Sequence, residues 1–146
     1  MRIAIGCDHA GFRLKEAVKS YLIAKGIKVI DEGTYSEDAA DYPDFAKKVV
    51  QDIKESKTDF GILICGTGIG MSIAANRVKG IRAALCLFPE MARLARAHNN
   101  ANVLVLPGRF LGIELAHWIV DAFLSSNFEG GRHSERIQKI ERMMED

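Results

Sequence analysis

Short apolar runs rich in β-branched residues alternate along the chain with longer stretches in which apolar positions recur every three or four residues. Residues 2–6 and 27–31 read as strands, the second ending at Glu32-Gly33. Between them Leu14, Val18 and Leu22 are spaced by Lys and Glu, which predicts a helix over 15–23. Asp41-Tyr42-Pro43-Asp44 opens a helix that runs to about Glu55, with Pro43 near the first helical position, where a missing N–H costs nothing. Residues 60–65 form a nearly all-apolar third strand that enters a glycine loop before a helix over 71–78. A fourth strand is expected over 81–87, and a helix over 90–97 stops at His98-Asn99-Asn100, where asparagine is a natural terminator. Residues 103–106 read as a fifth strand and 113–124 as a helix; Gly130-Gly131 bends the chain before an amphipathic helix over 134–144.

Strands apolar on both faces, alternating with helices, predict a parallel sheet covered on each side. Right-handed crossovers then limit the topology to an α/β, doubly wound five-stranded sheet. The commoner strand order for such a sheet is 2-1-3-4-5, although nothing in the sequence compels it. No internal repeat or linker interrupts the 146 residues, so one domain over 1–146 is expected.

Composition narrows the function classes. A net charge of +1 gives no field that would attract nucleic acid or an anionic membrane. No apolar run approaches the length of a membrane span, and the apolar start of the chain is too short for a signal peptide. Cys7, Cys65 and Cys86 are odd in number and widely spaced, which points to free thiols in the cytoplasm. The four His and three Cys show no HxxxH or CxxC spacing, so no zinc centre is expected.

Ligands of open α/β sheets bind beyond the carboxyl ends of the strands. The segments after strands one, three and five carry reactive side chains: Cys7-Asp8-His9, Cys65-Gly66-Thr67-Gly68-Ile69-Gly70 and Pro107-Gly108-Arg109. Alternate glycines in the third strand's loop allow close backbone approach to an anion, or simply make a tight turn. The pattern is neither the dinucleotide G-x-G-x-x-G in a first βα turn nor a phosphate loop with GK[ST], so a nucleotide is disfavoured. Cys65 stands where a strand meets a helix, a position suited to a reactive thiolate, whereas Cys7 and Cys86 read as small buried hydrophobes. Asp8 could orient a hydroxyl or cap a turn, and His9 could meet a phosphate or lie on the surface. His98 is either a helix terminator or a general acid favoured by the helix dipole. Arg132 and Arg136 share one helix face, which suits a phosphate or a solvated charged surface.

The motifs Asp8-His9-Ala10-Gly11, Asp41-Tyr42-Pro43-Asp44, Cys65-Gly66-Thr67-Gly68-Ile69-Gly70-Met71-Ser72-Ile73-Ala74-Ala75-Asn76, His98-Asn99 and Gly108-Arg109, with Arg132 and Arg136, resemble the type B ribose-5-phosphate isomerases over the whole chain. The resemblance implies a cofactor-independent and metal-free aldose-ketose isomerase of pentose phosphate metabolism. It further implies a Rossmann-like five-stranded α/β fold and a homodimer, in some members a dimer of dimers, with sites at the subunit interface. By resemblance, Cys65 moves the proton between C2 and C1, and Thr67 positions the substrate. His98, with Asp8 nearby, assists ring opening. Gly66, Thr67, Gly68, Ile69, Gly70 and Asn99 hold the enediolate and sugar oxygens, while His9, Arg109, Arg132 and Arg136 grip the phosphate. His98, Asn99 and Arg109 are expected to come from the partner chain. Cys65 together with Met71 places the chain in the thiol branch, since the other branch has a glutamate at the position of Met71. Allose 6-phosphate or galactose 6-phosphate is the alternative substrate.

Overall fold

Ile3, Ile5 and Cys7 of β1 (Arg2–Cys7) face one side of the sheet and Ala4 the other, and the same alternation runs through β3 (Phe60–Cys65) and β5 (Val103–Pro107). With β2 (Lys28–Asp31) and β4 (Ala83–Leu85) they form an all-parallel sheet in the order β2-β1-β3-β5-β4. The computed structural model describes residues 1 to 145.

Helices α1 (Phe12–Ala24), α4 (Pro89–Asn99) and α5 (Ile113–Ser125) pack on the face of Ile3 and Ile5; α2 (Tyr42–Lys54) and α3 (Ile69–Ala75) cover the other. Crossover handedness explains the division. The chain moves one way across the sheet from β1 to β2 and from β4 to β5, and its helices α1 and α4 share a face. It moves the other way from β2 to β3 and from β3 to β4, and α2 and α3 take the opposite face. Helix α6 (Arg132–Arg142) packs outside α4. Among the described residues, no helix is long and apolar enough to cross a membrane.

The expected order 2-1-3-4-5 is corrected to 2-1-3-5-4. Burial gives the reason: all five residues of β5 are buried, so it needs partners on both sides, whereas the short, half-exposed Ala83-Ala84-Leu85 suits an edge. Strand β4 is accordingly shorter than the 81–87 expected. Helix α3 also differs from the expected 71–78. Gly68 adopts φ 76° and starts it at Ile69, while the Asn76 side chain ends it by exchanging two hydrogen bonds with the backbone of Ala83, at 2.8 and 3.0 Å. Helix α4 extends through His98 and Asn99, and Asn100 is its left-handed cap. Gly130 and Gly131 bend the chain with φ 70° and 59°, as expected, and α6 starts directly after them.

Candidate active site

The carboxyl ends of β1, β3 and β5 converge in a tightly packed mouth. The Asp8 amide donates to Ile64 O at 3.2 Å, and the Gly108 and Arg109 amides donate to the carbonyls of Cys65 and Gly66 at 2.8 and 3.0 Å. Only glycine fits at Gly11, where a Cβ would lie 2.5 Å from the carbonyl oxygen of Ile64. The Arg109 guanidinium folds over Gly66, and the Tyr42 ring packs on Gly70. Tyr42 is thus a wall of the loop, a position that its motif alone did not reveal.

Three of the candidate side chains here hold the backbone as well. Asp8 Oδ1 caps a 3-10 turn (His9–Gly11) by accepting from the amides of Ala10 and Gly11 at 3.0 and 3.1 Å. Of the two readings of Asp8, the capping one is therefore present. Thr67 Oγ1 accepts from the Ile69 amide at 3.2 Å. His9 Nδ1 lies 3.2 Å from both the amide and the carbonyl oxygen of Ala40, which leaves Nε2 as the ring's other polar atom.

All three cysteines are free and buried. Burial pushes the thiols of Cys7 and Cys86 up to about 12, with Lys15 and the Thr34 carbonyl partly opposing it at Cys7. Cys65 is 4% exposed and packs beside Met71 on the α2–α3 face, one residue before the glycine loop.

His98, Asn99, Arg132 and Arg136 form a second group elsewhere in the chain. Helix α4 joins two parallel strands, so it runs against them and its carboxyl end returns toward the start of β5. There the Gly61 amide at the start of β3 donates to Asn102 O at 3.0 Å, and Arg82 N donates to Asn102 Oδ1 at 2.8 Å. Along β3 alone, Gly61 and Cys65 are separated by about 13 Å. No hydrogen bond, ion pair or ring contact among the described residues links this second group to Asp8, His9, Cys65, Thr67 or Arg109. The expected site is therefore split within one chain. Arg109 sits with its own chain's mouth rather than with His98 and Asn99, which corrects its expected grouping.

The second group is cationic. The imidazoles of His98 and His133 stack with centroids 4.3 Å apart, and Arg132 and Arg136 lie on the same short segment. Burial and the neighbouring His98, Arg132 and Arg136 hold His133 below the usual histidine range, with Glu129 partly opposing them. Glu129 Oε1 lies 3.7 Å from His98 Nε2 and 3.9 Å from His133 Nε2. Spacing confined to His and Cys missed this donor group. Its signal was the E-x-x-x-H step from Glu129 to His133, brought to His98 by the hydrogen bond from Glu129 N to Ala97 O at 2.9 Å.

Two apolar surfaces are exposed. Ile69 and Ile73 project one turn apart from α3 beside the mouth, and Leu87 and Phe88 project where β4 leads into α4.

Known proteins share this sequence and fold. A family model described as Ribose/Galactose Isomerase matches residues 3–140. The ribose-5-phosphate isomerase B of Escherichia coli is 50% identical over 139 residues, which cover 95% of this chain and 93% of that protein. Among solved structures, a ribose 5-phosphate isomerase from Thermotoga maritima is 70% identical with a TM-score of 0.96, covering 97% of each chain. Ribose-5-phosphate isomerase B from Mycoplasma genitalium, solved with bound ribulose-5-phosphate, is 48% identical with a TM-score of 0.93, covering 99% of this chain and 97% of that one. With the motifs in place on a parallel sheet of matching topology, the chain belongs to the ribose/galactose isomerase family.

Proposed function

We propose that the protein interconverts ribose 5-phosphate and ribulose 5-phosphate through an enediolate, in a site built from two copies of the chain. The observation that carries this reading is the split: base and loop lie at the mouth of the sheet, and the cationic group lies away from it. The names of the relatives supply the sugar.

The Cys65 thiolate takes a proton from C2 of the open-chain aldose and returns it to C1, while the O2 proton passes to O1 to leave the ketose. The backbone of the 66–70 loop receives the negative oxygen of the enediolate, and Thr67 and Asn99 fix the sugar hydroxyls. His98 delivers a proton to the ring oxygen in the preceding ring opening, with Asp8 orienting the anomeric hydroxyl. His9, Arg109, Arg132 and Arg136 hold the phosphate, which keeps C1 and C2 in register with the sulfur. The chemistry needs no redox cofactor and no resident metal. A homodimer in which each copy lends His98, Asn99, Arg132 and Arg136 to the other's mouth completes the set, and Ile69, Ile73, Leu87 and Phe88 offer it apolar contact.

Turnover by the purified protein on ribose 5-phosphate, allose 6-phosphate and galactose 6-phosphate tests the assignment. The five-carbon sugar is expected to give the highest kcat/KM. A higher value on either six-carbon sugar overturns the substrate assignment.

A further inference from the structure

We propose that His98, Glu129 and His133 form a binding site for a divalent transition ion of the zinc or nickel type. The three side chains offer two imidazole nitrogens and one carboxylate oxygen, all within 4.8 Å of one another. Donor atoms around a tetrahedral zinc with bonds of about 2.0–2.1 Å stand roughly 3.3 Å apart. The observed separations from Glu129 Oε1, 3.7 and 3.9 Å, lie just outside that span and are too long for direct hydrogen bonds. Closing the set on an ion requires the two imidazoles, now stacked with an interplanar angle of 11°, to unstack so that a nitrogen of each ring points at one centre. The backbone is already fixed for this: Glu129 N bonds Ala97 O beside His98, and His133 N bonds Gly130 O at 3.2 Å.

The surroundings select the kind of ion. His133 is almost completely buried, and no hydrogen bond to its ring or to that of His98 occurs among the described residues. The two stacked imidazoles stand beside Arg132 and Arg136, which begin the same helix as His133. The same arginines repel cations, so calcium or magnesium, which depend on several oxygen ligands, would not be held. Two nitrogens and one carboxylate suit zinc, nickel or copper, with a fourth position left to water.

Occupancy has a consequence that rests on the isomerase reading above. An ion on His98 Nε2 ties up the imidazole assigned to ring opening and adds a positive charge to the group that holds Arg132 and Arg136. The metal would therefore inhibit turnover rather than support it.

Calorimetric titration of the full-length, chelator-treated protein with Zn2+ tests the site without reference to activity. One ion per chain is expected, with at least tenfold weaker binding in both Glu129→Gln and His133→Gln. Glu129 is exposed, so Glu129→Gln is expected to fold even if His133→Gln does not. Unchanged affinity in Glu129→Gln, or loss of binding in Cys65→Ser, overturns the site. In assays of turnover, Zn2+ should inhibit wild type, and Glu129→Gln, compared with its own rate without metal, should need at least tenfold more. Inhibition that persists undiminished in Glu129→Gln overturns inhibition through this site. Tight binding that leaves turnover intact upholds the metal site and removes His98 from ring opening.

Discussion

The Arg109 guanidinium lies directly on Gly66, so close that a Cβ on that glycine would stand 3.0 Å from its Cζ and Nη1. A methyl group there displaces a flexible side chain rather than backbone. Gly66→Ala should therefore fold normally yet lose roughly ten- to hundredfold in kcat/KM for a sugar phosphate, as the arginine and loop shift. Wild-type kinetics with an unchanged melting temperature would show that this contact has no part in turnover.

Cys65→Ala should lower kcat by about 10^2- to 10^4-fold, the range expected for loss of a positioned base, while substrate binding survives. The two rates are compared at saturating ribose 5-phosphate, with binding measured calorimetrically. Near-normal kcat in this variant removes the sulfur from the reaction.

The split between the mouth and the cationic group predicts complementation. Cys65→Ala and His98→Asn chains, each inactive alone, should regain about a quarter of wild-type activity when co-expressed. Half of a random two-fold population is mixed, and each mixed pair carries one complete site of two. Activity that stays at background in verified mixed dimers would place both residues of a site in one chain.

Arg136→Ala should raise KM for phosphorylated sugars about tenfold with little change in kcat, equivalent to one charge-assisted hydrogen bond. Kinetics against ribose 5-phosphate at constant ionic strength provide the check, and an unaltered KM removes the arginine from phosphate binding.

Stability should depend on Asp31. Burial works against its charge, but hydrogen bonds from Lys15 at 2.8 and 2.9 Å, from Lys19 at 2.9 Å and from the Gly33 amide outweigh it and hold its carboxyl below the usual value. A lowered carboxyl pKa gives stability that is complete above the unfolded value of about 4 and is lost as pH falls through the folded one. Asp31→Asn should cost ~3 kcal/mol near neutrality, because the fully buried Lys15 loses its main counter-ion. The variant should also show a flatter decline below about pH 4. Urea unfolding across pH measures both, and parallel wild-type and variant curves would refute the linkage.

Much of this site was legible because its signals are local. Cys65-Gly66-Thr67-Gly68 announces a strand that ends in a loop, and Pro43 and Asn100 mark helix ends by their own backbone preferences. The position of β5 between β3 and β4 was not local. It depends on the apolar character of both faces of Val103–Pro107 set against the small residues of β4, a comparison between segments rather than within one. The separation of His98 from Cys65 was legible in principle, since a helix between parallel strands must end far from their carboxyl tips. The resemblance likewise drew His98 from the partner chain rather than from the chain that carries Cys65. Glu129 went unseen because carboxylates are common, and only the folded turn at Gly130-Gly131 brings this one to two imidazoles.

The sheet's rims are β2, with four residues, and β4, with three. So little unpaired backbone is a poor template for strand addition, and Lys28 further discourages it on one side. In the proposed homodimer the copies would therefore meet through side chains on helices and loops, not by extending the sheet, and that mode of association is the one that can carry an arginine or imidazole from one molecule into the cleft of another.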